Sequence, residues 1–157
     1  MPVKNNKIIN KPRLTSEVIE AQLRVSGLRV TQARLHILGL LMAHNGALNH
    51  QQIEDYLTQN GLITDRVTIY RTLHSLTDSG IIHKIPGLDR TFSYAYRSAD
   101  AHDAQHASSH PHFVCEQCSQ TICLPDVTVA ISNMQTPDGF EFHHTELKLV
   151  GLCAECT

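Results

Sequence analysis

Over the first 80 residues, apolar positions recur every three or four places, and residues that start or stop helices bracket each run. The first run covers about Ser16 to Ser26 and stops before Gly27. A second opens at Thr31, with Val30 and Leu35 placed as a hydrophobic staple, and its spacing turns Leu35, Leu38, Leu41 and Met42 inward. A third begins at Asn49, with Gln52 in the partner position of a capping box, and ends at Asn60-Gly61. The fourth starts after Asp65, runs to Asp78 and closes at Ser79-Gly80, with Ile69, Leu73 and Leu76 on its inner face.

The period then shortens to two. Ile81, His83 and Ile85 share one face of a predicted strand, and Phe92, Tyr94 and Tyr96 share a face of the next. Pro86-Gly87-Leu88-Asp89 supplies the turn between them. Helices followed by a recognition-type helix and a β-hairpin predict a winged helix-turn-helix unit over residues 1–97, of which 1–14 form a flexible basic tail. Residues 98–109, made of Ala, Asp, Ser, Gln and His, read as a linker or hinge. Residues 110–157 predict a small α/β unit. It has a short strand into Cys115, another from Thr121 to Leu124, a helix around Val127 to Met134, and a final strand within Phe140 to Val150. The fold class is α+β.

Charge sharpens this division. Residues 1–97 carry twelve of the thirteen Lys and Arg against seven Asp and Glu, a balance of +5, whereas residues 98–157 carry Lys148 against eight acids, −7. A net charge of −2 thus conceals a basic half suited to a polyanion. No stretch approaches the roughly 18 apolar residues of a membrane span. The first 14 residues lack the apolar centre of a secretion signal, so the expected location is the cytoplasm, with no membrane partner.

All five cysteines lie in the acidic half, with six of the eleven histidines. Cys115-Glu-Gln-Cys118 and Cys153-Ala-Glu-Cys156 are paired Cys-x-x-Cys units separated by 34 residues. Each unit puts two thiolates on one side of a backbone knuckle, and two knuckles complete a tetrahedron of soft ligands for a structural zinc ion. Redox-active dithiols are the competing reading, but neither unit precedes a good helix, as a thioredoxin-like motif would. In the fourth helix, Thr68, Tyr70, Arg71, His74 and Ser75 are left off the core face. Arginine can bond a guanine edge or a phosphate, and tyrosine can pack on a thymine methyl, so this helix suits the major groove of double-stranded DNA.

Five segments in order carry a resemblance. They are Gly27-Leu-Arg-Val-Thr-Gln-Ala-Arg34, Thr68-Ile-Tyr-Arg-Thr-Leu73, Ser79-Gly-Ile-Ile-His-Lys84, His110-Pro-His-Phe-Val-Cys-Glu-Gln-Cys118 and Gly151-Leu-Cys-Ala-Glu-Cys156. Together they make the chain, over residues 15 to 157, similar to the ferric uptake regulator family. The resemblance implies a winged helix, a C-terminal dimerisation domain that forms a homodimer, and metal-dependent repression at operator DNA. It also implies that Thr68, Tyr70 and Arg71 face the major groove while Arg29 reaches the backbone or minor groove.

The family carries a regulatory metal near its hinge. The matching positions here are His110 and His112, with Cys123 where a carboxylate is usual, and His83 in a segment that resembles the family's zinc sensors. The strand from Thr91 to Tyr96 lacks the ligand relatives provide there, and Ala47 stands where some iron sensors have histidine. Cys123 is therefore expected to supply the missing soft ligand, with His102 or His106 in reserve. Regulatory Zn2+ is preferred, with Fe2+ or peroxide sensing as the alternative. A zinc hydrolase built on His83, His110 and His112 would need an acidic base beside them, and the His-x-Glu and Glu-x-x-His patterns present, His144-Thr-Glu146 and Glu141-Phe-His-His144, include none of those three histidines. A zinc-stabilised protein-interaction module would leave the charge division and Tyr70-Arg71 unexplained.

Overall fold

The computed structural model describes residues 14–44, 46–88, 91–97, 110–124, 126–127, 129, 137–141 and 145–157. Four helices come first: α1 (Ser16–Val25), α2 (Gln32–Ala43), α3 (His50–Gln59) and α4 (Arg66–Asp78). The starts of α2, α3 and α4 are fixed by side-chain caps. Thr31 accepts from the backbone N–H of Arg34, and Asp65 accepts from that of Thr68 at 2.9 Å. Asn49 and Gln52 close a reciprocal capping box at 2.9 and 2.8 Å.

The inner faces of the helices merge into one core that includes Leu23, Ile37, Leu38, Leu41, Ile53, Leu57, Ile69, Leu73 and Leu76. Two details differ from the sequence pattern. Leu35 is only partly buried against this core, and Ile37 takes a fully buried place. Gly39 sets how closely α1 lies on α2, because a Cβ there would stand 2.9 Å from Ile19 Cδ1.

A short strand, β1 (Leu48–Asn49), precedes α3 and was not expected from the sequence. It pairs with β3 (Phe92–Tyr96), which also pairs with β2 (Ile82–Pro86), in a three-stranded antiparallel sheet ordered β1-β3-β2. Alternation along the wing is imperfect for a physical reason. Tyr94 and Ile82 join the helical core, while Ile85 and Ala95 pack with Ala47 and Cys123 on another side. Ser93 and Ala95 are therefore buried, beyond the expected Phe92-Tyr94-Tyr96 face.

What covers that side is a second sheet, ordered β5-β4-β6: β4 (His112–Cys115), β5 (Thr121–Cys123) and β6 (Lys148–Gly151). β4 runs antiparallel to β5 and parallel to β6. The final strand is shorter than its expected window and ends one residue beyond it. The expected helix at 127–134 falls largely outside the described residues, and Val127 and Val129, which are described, are not helical.

The two sheets touch directly. Ala47 N–H donates to the Thr121 carbonyl at 3.0 Å, and Lys148 Nζ donates to the Gly87 carbonyl in the wing turn at 3.1 Å. Gly46, at φ 138°, permits the first contact, since a Cβ there would lie 3.0 Å from the Thr121 oxygen. Among the described residues no helix is long and apolar enough to cross a membrane.

Because Asn49 both ends β1 and caps α3, Asn49→Ala is expected to destabilise the protein by about 1 kcal/mol. Urea unfolding should show a lower midpoint with an unchanged slope.

Candidate metal centres and nucleic-acid interface

β4 ends at Cys115, and the chain turns back through Glu116 to Cys118. Backbone bonds hold the turn: Ser119 N–H to the Cys115 carbonyl and Cys115 N–H to the Gln120 carbonyl, both 2.9 Å. The parallel register of β6 brings Gly151 beside Cys115, so the second knuckle folds over the first, and Cys153 N–H points to Cys115 Sγ at 3.4 Å. The four sulfurs of Cys115, Cys118, Cys153 and Cys156 lie within 4.8 Å of one another, and Cys118 and Cys153 are 3.7 Å apart. A tetrahedron with zinc–sulfur arms of ~2.3 Å has edges of about 3.8 Å, so the cage has the right size for a tetrathiolate ion.

Backbone N–H groups, first that of Cys118, lower Cys115 to about 6. Hydrogen bonding with neighbouring thiols, first Cys153, pushes Cys156 up to about 12, and burial raises Cys118. The cluster by itself favours a thiolate at Cys115 and holds protons on Cys118 and Cys156, whose ionisation calls for a cation.

The second cluster spans the two sheets. His83 comes from β2, His112 opens β4, Cys123 is the cross-strand partner of His112 on β5, and His110 stands two residues before β4. The four offer donor atoms within 4.8 Å of one another. His83 Nε2 is 3.3 Å from His112 Nε2 and 3.4 Å from Cys123 Sγ. Tetrahedral zinc, with arms of ~2.0–2.1 Å to nitrogen and ~2.3 Å to sulfur, implies edges of about 3.3 and 3.6 Å. His110 Nε2 is buried without a hydrogen-bond partner, as is His83 Nδ1. An ion would satisfy the convergent donors, so the residues fit a metal.

Burial sets the electrostatics. Desolvation, helped by His110, His112 and Arg97, brings His83 down to about 3, and desolvation with His110 and Lys148 brings His112 to about 4. Desolvation also lowers His110, with Arg97 contributing, and raises the Cys123 thiol to about 11. At neutral pH the cluster is thus three uncharged imidazoles and a thiol. Among the described residues, no carboxylate belongs to it. His102 and His106, the reserve ligands, lie outside the described residues.

On α4, Tyr70 is 58% exposed and Arg71 is exposed, on the side opposite Ile69, Thr72, Leu73 and Leu76. Thr68 is half-buried, and its hydroxyl donates to Asp65 Oδ2 at 2.6 Å, which ties it to the helix cap. Arg29 is exposed before α2. An open groove of about 810 Å³ runs between the N-terminal ends of α3 and α4 and the wing, lined among others by His50, Arg66, Tyr70, Arg71 and Phe92.

Several contributors escaped the sequence pattern. Arg34 donates from Nη1 to the Arg29 carbonyl at 2.7 Å and from Nε to Ser75 Oγ at 3.3 Å, linking the turn before α2 to α4. Lys84 lies over the Phe92 ring, 3.5 Å from its centroid, which places a cation on the wing. Lys148 stood out as the lone base of its half but carried no positional signal.

A winged helix joined through a histidine–thiol cluster to a sheet with a four-cysteine knuckle defines a metal-responsive transcriptional regulator, not an enzyme. The chain belongs to the ferric uptake regulator family, whose family model matches residues 25–150. It is similar to the ferric uptake regulation protein of Neisseria meningitidis, 29% identical over 141 residues covering 87% of this chain and 91% of the relative. It is likewise similar to the zinc uptake regulation protein of Mycobacterium tuberculosis, 28% identical over 133 residues covering 83% and 96%. In fold it resembles a zinc uptake regulator solved with zinc and DNA, with a TM-score of 0.61, 22% identity, and 92% and 96% of the two chains covered.

Two outcomes are expected. Cys156→Ser should lose the tightly held ion and unfold the C-terminal half, since structural zinc contributes on the order of 10 kcal/mol to folding. Metal stoichiometry and circular dichroism check this, and a folded, fully metallated variant would contradict it. For the second cluster, His83 and His112 are neutral well below pH 6 and burial lowers His110 too, while Cys123 keeps its proton to about 11. Metal binding there should release one proton, and affinity should rise with pH by about tenfold per unit across the neutral range. Calorimetry in buffers of different ionisation enthalpy reads the proton directly, and Cys123→Ala should abolish the release.

Proposed function

We propose that this chain is a zinc-responsive repressor that binds double-stranded operator DNA as a homodimer. The observation that carries the choice of metal is the donor set of the sheet-spanning cluster: three nitrogens, one sulfur and, among the described residues, no carboxylate. Such a set suits zinc, whereas ferrous iron in a sensor of this kind favours harder oxygen ligands. Relatives named for iron and for zinc are equally distant, at 29% and 28% identity, so kinship does not decide it.

In this reading residues 1–97 form the DNA-binding domain, 98–109 the hinge and 110–157 the dimerisation domain. Cys115, Cys118, Cys153 and Cys156 hold the structural ion. His83, His110, His112 and Cys123 hold the regulatory one, which supplies a shared positive centre for four donors. His83 is the only one of those four on the wing, so its engagement fixes the pose of the winged helix on the second sheet. Arg71 and Tyr70 address base edges and Arg29 the backbone or minor groove, while Thr68, on the DNA-facing start of the recognition helix, also orders that start. In this reading the regulator works in the cytoplasm.

DNA-binding titrations with zinc, ferrous iron, manganese and nickel at buffered free-metal levels test the proposal. Zinc should activate binding at the lowest free concentration, and Arg71→Ala should weaken the zinc-loaded complex by about 1–3 kcal/mol while leaving metal content unchanged. Preferential activation by ferrous iron, with Cys123→Ala as responsive as the parent, would overturn the zinc assignment. Parent and Arg71→Ala binding equally across a salt series would remove α4 from the interface.

A further inference from the structure

We propose that Val67 reads a thymine methyl group in the major groove, as the apolar member of a three-residue head formed with Tyr70 and Arg71. The inference rests on the reading of α4 as the DNA-contacting helix and assigns it a specificity determinant.

The face opposite the core carries Val67, Tyr70, Arg71 and His74, spaced i, i+3, i+4 and i+7. Val67 is 57% exposed and Tyr70 58%, and both line the open groove beside Arg71. A single exposed valine is ordinary on a protein surface. What distinguishes Val67 is the chemistry on either side of it.

Towards the C-terminal end of the face, His74 Nδ1 is 2.7 Å from Asp78 Oδ2, so a carboxylate closes the helix there and disfavours approach to phosphate. Reading is thereby confined to the first two turns. In those turns the other polar groups are already engaged. Asp65 accepts from both the N–H and the hydroxyl of Thr68, and Arg66 donates from Nε to Glu54 at 2.9 Å and from Nη2 to Gln51 at 3.0 Å.

In its first turn the helix therefore offers DNA one uncommitted aliphatic group, the two methyls of Val67, one turn ahead of the Tyr70 ring. The thymine C5-methyl is the apolar feature of the major groove, and cytosine lacks it. A β-branched side chain on a helix is held in essentially one rotamer, so it presents its methyls with little entropy left to lose. Contact between the two removes about one methyl's worth of surface from water on each side.

The test uses the full chain loaded with zinc, or with whichever ion activates it in the titrations above, and the best sequence it selects from a random duplex pool. Each thymine of that site is replaced singly by deoxyuridine, which deletes only the methyl. The parent should lose about fourfold in affinity at one thymine per half-site, the value expected for one buried methyl. Val67→Ala should bind the intact site about as weakly as the parent binds that substituted site, and should be indifferent to the substitution. Val67 is exposed and outside the core, so the variant should fold as the parent does.

A parent that shows no deoxyuridine response, or a response retained in Val67→Ala but lost in Tyr70→Phe or Tyr70→Ala, overturns the assignment. Arg71→Ala in parallel separates the two layers. If it loses base discrimination while Val67→Ala keeps every methyl response, only the valine inference fails. If it behaves as the parent, or no sequence is selected from the pool, the reading of α4 fails with it.

Discussion

β4 pairs antiparallel with β5 and parallel with β6, and each metal cluster depends on one of those registers. The first sets Cys123 across from His112, and the second sets Gly151 beside Cys115 so that the chain turns into the Cys153–Cys156 knuckle within reach of the first. A slip of one residue on either side would send the paired side chain to the other face of the sheet and dissolve one cluster. A four-residue strand has few hydrogen bonds with which to resist such a slip. The thiol cage, once metallated, is what can hold it, and the geometry of the histidine–thiol cluster then follows from that of the cage.

The winged helix is held to this sheet at three kinds of contact. A backbone bond joins Ala47 to Thr121, a lysine reaches from β6 to the wing turn, and His83 meets His112 and Cys123. The first two are single hydrogen bonds, each worth only about 0.5–1.5 kcal/mol net. The third brings buried imidazoles and a thiol together beside His110 Nε2, which has no hydrogen-bond partner, an arrangement that costs free energy until a ligand satisfies it. An interface assembled from weak fixed contacts and one unsatisfied cluster is suited to two poses, with the occupant of the cluster choosing between them.

Most of the helical half was legible in the sequence because its signals are local. Caps at Thr31, Asn49 and Asp65 and the inward stripe of α4 act within one turn of chain. The paired Cys-x-x-Cys units were legible for the same reason. Three features were not, and each depends on distant chain. β1 is two residues long and exists because β3 lies alongside it. Ser93 and Ala95 look like solvent-facing wing positions until the second sheet covers them. Lys148 finds Gly87 across 61 positions of sequence. The convergence of His83 with His112 and Cys123 came from family resemblance; spacing alone could not supply it, since it requires the wing to lie against β4 and β5.

β4 also joins the two clusters physically, with His112 at one end and Cys115 at the other, three residues or roughly 10 Å apart. Four ionised thiolates around one dication leave two negative charges uncancelled, and a pair of unit charges at that separation interacts by roughly 0.4–1.7 kcal/mol between the limits of water and a protein surface. The filled knuckle is therefore a standing counter-charge for its neighbour, drawing cations towards three imidazoles that burial keeps neutral. The affinity of the histidine–thiol cluster for a cation is set partly by four sulfurs that never touch it.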